Sequence, residues 1–74
     1  MHTPQVGDFY RHFKGNTIEI IAIGKHTENL EEMVVYTHAG ETWVRPMDMF
    51  LSKVDKGKYP DVEQEDRFEW MEEA

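Results

Sequence analysis

Along most of this chain apolar and polar residues alternate in short stretches, a strand period rather than a helix period. Residues 7–14, the pair Gly15-Asn16 and residues 17–24 read as a hairpin, because Gly-Asn tolerates the positive φ of a tight turn. A two-residue loop there would pair Lys14 with Thr17, Phe13 with Ile18, His12 with Glu19, Arg11 with Ile20, Tyr10 with Ile21 and Phe9 with Ala22. Phe9, Phe13, Ile18, Ile20 and Ala22 would then share the core face. Arg11 would be an edge exception with its head in water. Tyr10, His12, Lys14, Glu19 and Ile21 would look the other way.

Residues 25–32 are polar and acidic and read as a loop. Residues 33–38 and 41–46 make a second hairpin turning at Ala39-Gly40, rich in the β-branched and aromatic residues that strands prefer. Counting outward from a two-residue loop pairs Tyr36 with Trp43, Val35 with Val44, Val34 with Arg45 and His38 with Glu41, whereas a three- or four-residue loop would shift this pairing. Met33, Val35 and Val44 fall on one face, and Tyr36, Trp43 and Arg45 on the other. Pro46 ends the strand and suits the start of a helical turn near residues 46–52. Met47, Phe50, Leu51 and Val54 sit at helical spacing and would plug an open end. Residues 53–60 read as a polar linker, and residues 67–71 alternate as a fifth strand. The expected class is all-β: a small five-stranded SH3-like barrel with one helical turn, a single domain over residues 7–71 and a flexible acidic end at 72–74. A turn running over 48–54 would give a less closed α+β roll instead.

Size narrows the function. A 74-residue chain buries only about 60% of its unfolded surface, which leaves little room for an elaborate catalytic cleft. The absence of cysteine excludes a disulfide framework and fits a cytoplasmic protein. No signal peptide is read in Met1-His2-Thr3-Pro4-Gln5, and the longest apolar run, Ile20-Ile21-Ala22-Ile23, is far shorter than the roughly 20 residues of a spanning helix. The net charge of -7 is concentrated at the end: residues 61–74 hold seven acids and Arg67, while residues 1–60 are nearly balanced. Such a run is most simply a solvated segment. The sharper reading has it imitate phosphates and cover a basic groove. Either way an acidic total disfavours tight nucleic-acid binding.

Several side chains could carry chemistry. His12 opposite Glu19 could be a base oriented by a carboxylate, but a solvated cross-strand pair is the preferred reading, since no Ser or Cys stands in a hydrolase-like context. His2, His12, His26 and His38 lack the spacing that puts two ligands on one helix face, so no metal or cofactor is expected. His26-Thr27-Glu28 is the best polar loop candidate; equally, it is a turn in which Thr27 and Asn29 bond nearby amides. Tyr36, Trp43 and Arg45 would form an aromatic shelf beside a guanidinium, suited to an extended peptide, a cation or a stacked base. Against this, Tyr36 and Trp43 could be core, packed on Phe50 and Phe68. Trp70 divides in the same way between strand packing and a partner contact. The isolated glycines make no phosphate cradle.

Taken in order, Tyr10-x-His12-Phe13-Lys14-Gly15, His26-Thr27-Glu28, Met33-Val34-Val35-Tyr36, Trp43-Val44-Arg45-Pro46-x-x-Met49-Phe50 and Arg67-Phe68 resemble the small bacterial family known as domain of unknown function 1653. The resemblance spans about residues 7–68, with a shorter connection between Tyr36 and Trp43 and a longer polar insert at 55–66 than the family pattern. It implies an SH3-like β domain of bacteria or phage, and no activity, ligand or catalytic residue.

The expected function is a non-enzymatic module contacting a protein or peptide, monomeric or weakly dimeric and not membrane-bound, with Tyr10, His12, Tyr36, Trp43 and Arg45 as contacts and His26 and Glu28 at the rim. The alternative is nucleic-acid association through Arg11, Lys14, Lys25 and Arg45 with aromatic stacking. A small hydrolase or lyase around His12 or His26 is the weakest of the three.

Overall fold

The computed structural model describes residues 2–72, so most of the expected flexible end, residues 73–74, lies outside the described residues. Five antiparallel strands, β1 (Phe9–His12), β2 (Thr17–Lys25), β3 (Glu32–His38), β4 (Glu41–Pro46) and β5 (Phe68–Met71), form one sheet in the order β4-β3-β2-β1-β5. A single helical turn, α1 (Met47–Phe50), follows β4 directly. The mainly-β class and the five strands agree with the sequence, but the sheet does not close into a barrel. Strands β4 and β5 are both edges, with no backbone pairing between them.

The β3–β4 hairpin has the register counted from the sequence, from His38 opposite Glu41 to Met33 opposite Pro46. Ala39 and Gly40 both take positive φ, 54° and 80°, the conformation that matches a two-residue turn to the twist of its strands. The first hairpin differs from expectation. Phe9 lies opposite Glu19, Tyr10 opposite Ile18 and Arg11 opposite Thr17. His12 donates its amide to Asn16 O (2.7 Å) and accepts from Gly15 N (2.7 Å), so the loop is the three residues Phe13, Lys14 and Gly15. Gly15, at φ 102°, takes the left-handed position that ends a three-residue loop rather than the first place of a two-residue turn. The pairing therefore shifts by three residues, an odd number, and β1 presents its opposite face inward. Tyr10 is buried and His12 half-buried, while Phe9 and Phe13 are only half-buried and Arg11 is exposed.

A second irregularity lies in β2. Ile20 faces Tyr36 and Ala22 faces Val35, so Ile21 is an extra residue, a β-bulge. The bulge resets the alternation: Ile18 and Ile20 point inward, Ile21 and Ala22 are exposed, and Ile23 turns back to the core. Ala22 is thus not a core residue.

The core consists of Tyr10, Ile18, Ile20, Val34, Tyr36, Phe50 and Phe68, flanked by Ile23 and Met47. Phe50 from α1 is fully buried, stacks on Phe68 (4.2 Å between centroids) and meets Tyr10 and Tyr36 edge-on. Pro46 supplies the entry to α1 at φ -57°, and the helix stops at Leu51. The turn thus packs on the core face of the open sheet, against β3 and β4. The connection to β5 folds back along β1: Lys53 bridges to Asp66, Arg67 N donates to Ser52 O (2.9 Å), Phe13 N donates to Arg67 O (3.0 Å), and Gln64 Nε2 donates to Arg11 O (3.0 Å). Lys56 Nζ holds this fold-back from within by donating to the carbonyls of Val62 and Gln64.

Candidate functional site: a slot between two sheet edges

Where β4 and β5 fail to pair, side chains span the gap. Arg45 from β4 lies over the ring of Phe68 from β5, 5.8 Å from its centroid, and its Nε donates to Tyr36 Oη (3.4 Å). Tyr36 is buried against Phe50 and Phe68, whereas its cross-strand neighbour Trp43 is 46% exposed. The expected trio therefore divides: Tyr36 belongs to the core, and Trp43 and Arg45 form the shelf. Trp43 Nε1 donates to His38 O (3.4 Å), which orients the indole. Together His12, Ile18, Tyr36, His38, Trp43, Arg45 and Phe68 line a cavity of about 220 Å³.

His12 and Arg45 also line a second cavity of about 330 Å³, so these two side chains stand between the two lobes and border both. This second lobe is walled by Phe13 and Lys14 of the first hairpin loop, by Asp55, Lys58 and Tyr59 of the fold-back segment, and by Arg67. Arg67 Nε donates to Ser52 Oγ (3.0 Å), and that hydroxyl in turn donates to Met49 O (2.6 Å) at the end of α1. The ammonium of Lys14 lies 5.5 Å from the ring centre of Tyr59, which also takes Lys58 at 5.5 Å. Asp55, the one carboxylate here, accepts the amides of Gly57 (3.0 Å) and Lys58 (3.3 Å) and so is committed to its own turn.

At the junction of the lobes stands His12. Its Nδ1 accepts from Lys14 N (3.1 Å), and the ring packs edge-on against Phe68. Burial, reinforced by the positive groups Arg45, Arg67, His38 and Lys14, holds its pKa down at about 4. A neutral imidazole in a cationic frame can accept or donate a hydrogen bond, but the anionic partner expected across the strand is missing. Glu19 lies opposite Phe9, and the His12–Glu19 dyad drawn from a two-residue loop does not form.

The other expected site residues lie elsewhere. Tyr10 is in the core, with a buried hydroxyl that has no partner among the described residues and a pKa raised to about 12, by burial first and then by Asp8. His26 and Glu28 sit in the β2–β3 turn, at the far end of that ladder from His38. There His26 Nδ1 accepts from Glu28 N (3.1 Å) and Asn29 Oδ1 from Glu31 N (2.9 Å), which is a self-contained turn. Of the four cations expected for nucleic acid, Lys14 and Arg45 reach the groove, Arg11 points outward on β1, and Lys25 ends β2 beside that far turn. Trp70 stacks on His2 (3.6 Å, 3° between planes), which is paired with Asp8 at 2.6 Å. Lys58, Tyr59, Arg67, Phe13 and His38 line the groove without having been among the binding residues expected from the sequence. The one available signal was Tyr59, a lone aromatic in a polar segment between Gly57 and Pro60.

Among the described residues no group of three or more His, Asp or Glu is placed to hold a metal, and no helix is long and apolar enough to cross a membrane. Neither a search of curated proteins nor a search of solved structures returned a match. A family model described as "Protein of unknown function (DUF1653)" matches residues 8–70, from the start of β1 through Trp70 and including every residue of the groove, and the chain therefore belongs to that family.

Proposed function

We propose that the protein is a non-enzymatic binding module that takes an extended peptide segment of a partner protein in the slot between β4 and β5. The observation that carries this reading is that β4 and β5 are both unpaired edges, that Arg45 of β4 lies over the ring of Phe68 of β5, and that Trp43 is exposed beside the cavity these residues line. An edge strand offers backbone donors and acceptors to an incoming strand, and a neighbouring aromatic pocket supplies selectivity for its side chains. Ser52, the one serine of the chain, has its Oγ bonded to Arg67 and to Met49 O rather than to either groove histidine, so it makes no nucleophile and base pair with them.

The test is selection of a phage-displayed random heptapeptide library on the intact protein, with counter-selection on Trp43→Ala. Trp43 is exposed, so its truncation should leave the melting temperature nearly unchanged. Enriched peptides whose affinity falls at least tenfold on the variant support the reading. Peptides that bind both proteins equally, or no enrichment at all, refute it.

A further inference from the structure

We infer that the peptide taken by this slot is acidic, and that the lobe beside the first hairpin loop is a seat for one of its side-chain oxyanions, a carboxylate or a phosphoryl group. This rests on reading the slot as a peptide site and adds the chemistry of the occupant.

Charge distribution is the first argument. The chain carries 15 acids and 8 Lys plus Arg, yet four of those eight cations (Lys14, Arg45, Lys58 and Arg67) and only one acid (Asp55) line the groove. The groove is thus formally +3 in a protein of -7, which leaves -10 for everything else. Gathering like charges is unfavourable unless something compensates them. Compensation from within is absent, because the ion pairs among the described residues are His2–Asp8 and Lys53–Asp66, both outside the groove. Asp55 is spent on its own turn, and none of the described acids of residues 61–72 lines the lobe.

Geometry is the second argument. Both guanidiniums are fixed through Nε to neutral oxygens, Arg45 to Tyr36 Oη and Arg67 to Ser52 Oγ. Their terminal amino groups have no protein partner among the described residues, so each fork is oriented before any ligand arrives, as bidentate oxyanion recognition requires. Lys14 and Lys58 bracket the ring of Tyr59 and add two point charges to the same lobe.

Peptide is favoured over nucleic acid by what surrounds the lobe. A polyanion with a charge at every residue would extend beyond the groove over a protein whose remaining residues sum to -10, whereas a strand bearing one or two anions places them only where cations stand.

Two measurements decide the matter. The peptides selected above should be enriched in Asp or Glu at one position. Synthetic versions carrying Glu, Gln or phosphoserine there should bind in the order phosphoserine at least equal to Glu, with Gln weaker by about tenfold. On Lys14→Gln/Lys58→Gln, whose two side chains are exposed and whose melting temperature should hold, the advantage of Glu over Gln should shrink to twofold or less. Peptides that depend on Trp43 but show no preference for Glu over Gln would overturn this inference and leave the peptide reading intact. Failure to select any peptide would remove both. An eight-nucleotide oligo-dT that binds tighter than every acidic peptide, through the same two lysines, would overturn the peptide in favour of single-stranded nucleic acid.

Discussion

Because His12 is kept neutral by its surroundings, the fold should lose stability in mild acid through this one residue. The unfolded chain takes up the His12 proton near pH 6.5, and the folded protein only near 4. With the folded value depressed, the contribution is fully present above pH 6.5 and is lost as pH falls toward 4. Full conversion of that gap would give about 3 kcal/mol. The ring borders an open groove where water and salt screen the cations, so about 1 kcal/mol is the expected size. Urea denaturation of wild type and His12→Gln at pH 7 and pH 4.5 isolates this term, because the other titrating groups are common to both proteins. The wild type should lose about 1 kcal/mol more than the variant between the two pH values. In NMR the His12 ring should titrate near pH 4, and added salt should raise that value only partway, since burial is the leading cause and is not screened. A ring that titrates at or above 6.5, or equal acid losses in the two proteins, would refute the placement of His12 among these cations.

Other consequences can be checked in the same denaturation assay. Tyr10→Phe removes a buried hydroxyl without a partner among the described residues, so stability should stay level or rise by up to about 1 kcal/mol. Phe50→Ala empties the centre of the aromatic cluster and should cost about 3 to 5 kcal/mol, comparable to the whole stability of so small a domain; Phe50→Leu should retain a measurable transition. Gly15→Ala places a side chain at φ 102° with no neighbour in its way, so the loss should be about 1 to 2 kcal/mol from backbone strain alone, with no change in core packing by NMR.

The two hairpins show which parts of this fold can be read from residues alone. At Ala39-Gly40 a two-residue loop, one of the lengths the residues allow, is the one that forms, so the register of β3 and β4 counted from it holds and Tyr36 lies opposite Trp43 as expected. At Gly15 the same residue type serves either a two-residue or a three-residue loop, and the choice decides whether Tyr10 or Phe9 is buried. Local pattern does not make that choice; it follows from Tyr10 packing on Phe50, some 40 residues later in the chain. The run Ile20-Ile21-Ala22-Ile23 is likewise silent about its bulge, because a continuous apolar stretch has no phase. Half of the groove was hidden for a related reason. Lys58, Tyr59 and Arg67 meet Lys14 only because residues 53–67 fold back along β1 through bonds from Gln64, Ser52 and Lys56, and no spacing in the sequence encodes that return.

The bulge at Ile21 separates two properties that strands normally tie together. Remove that residue and Ala22 would follow Ile20 directly, still facing Val35, with Ile23 still facing Val34. Every downstream partner and every inward side chain would be kept. What would go is the local bend and added twist that a bulge gives its strand. Curvature of a sheet bears on how its outer strands approach, so deleting Ile21 should change the spacing of β4 and β5 while leaving the β2–β3 register intact.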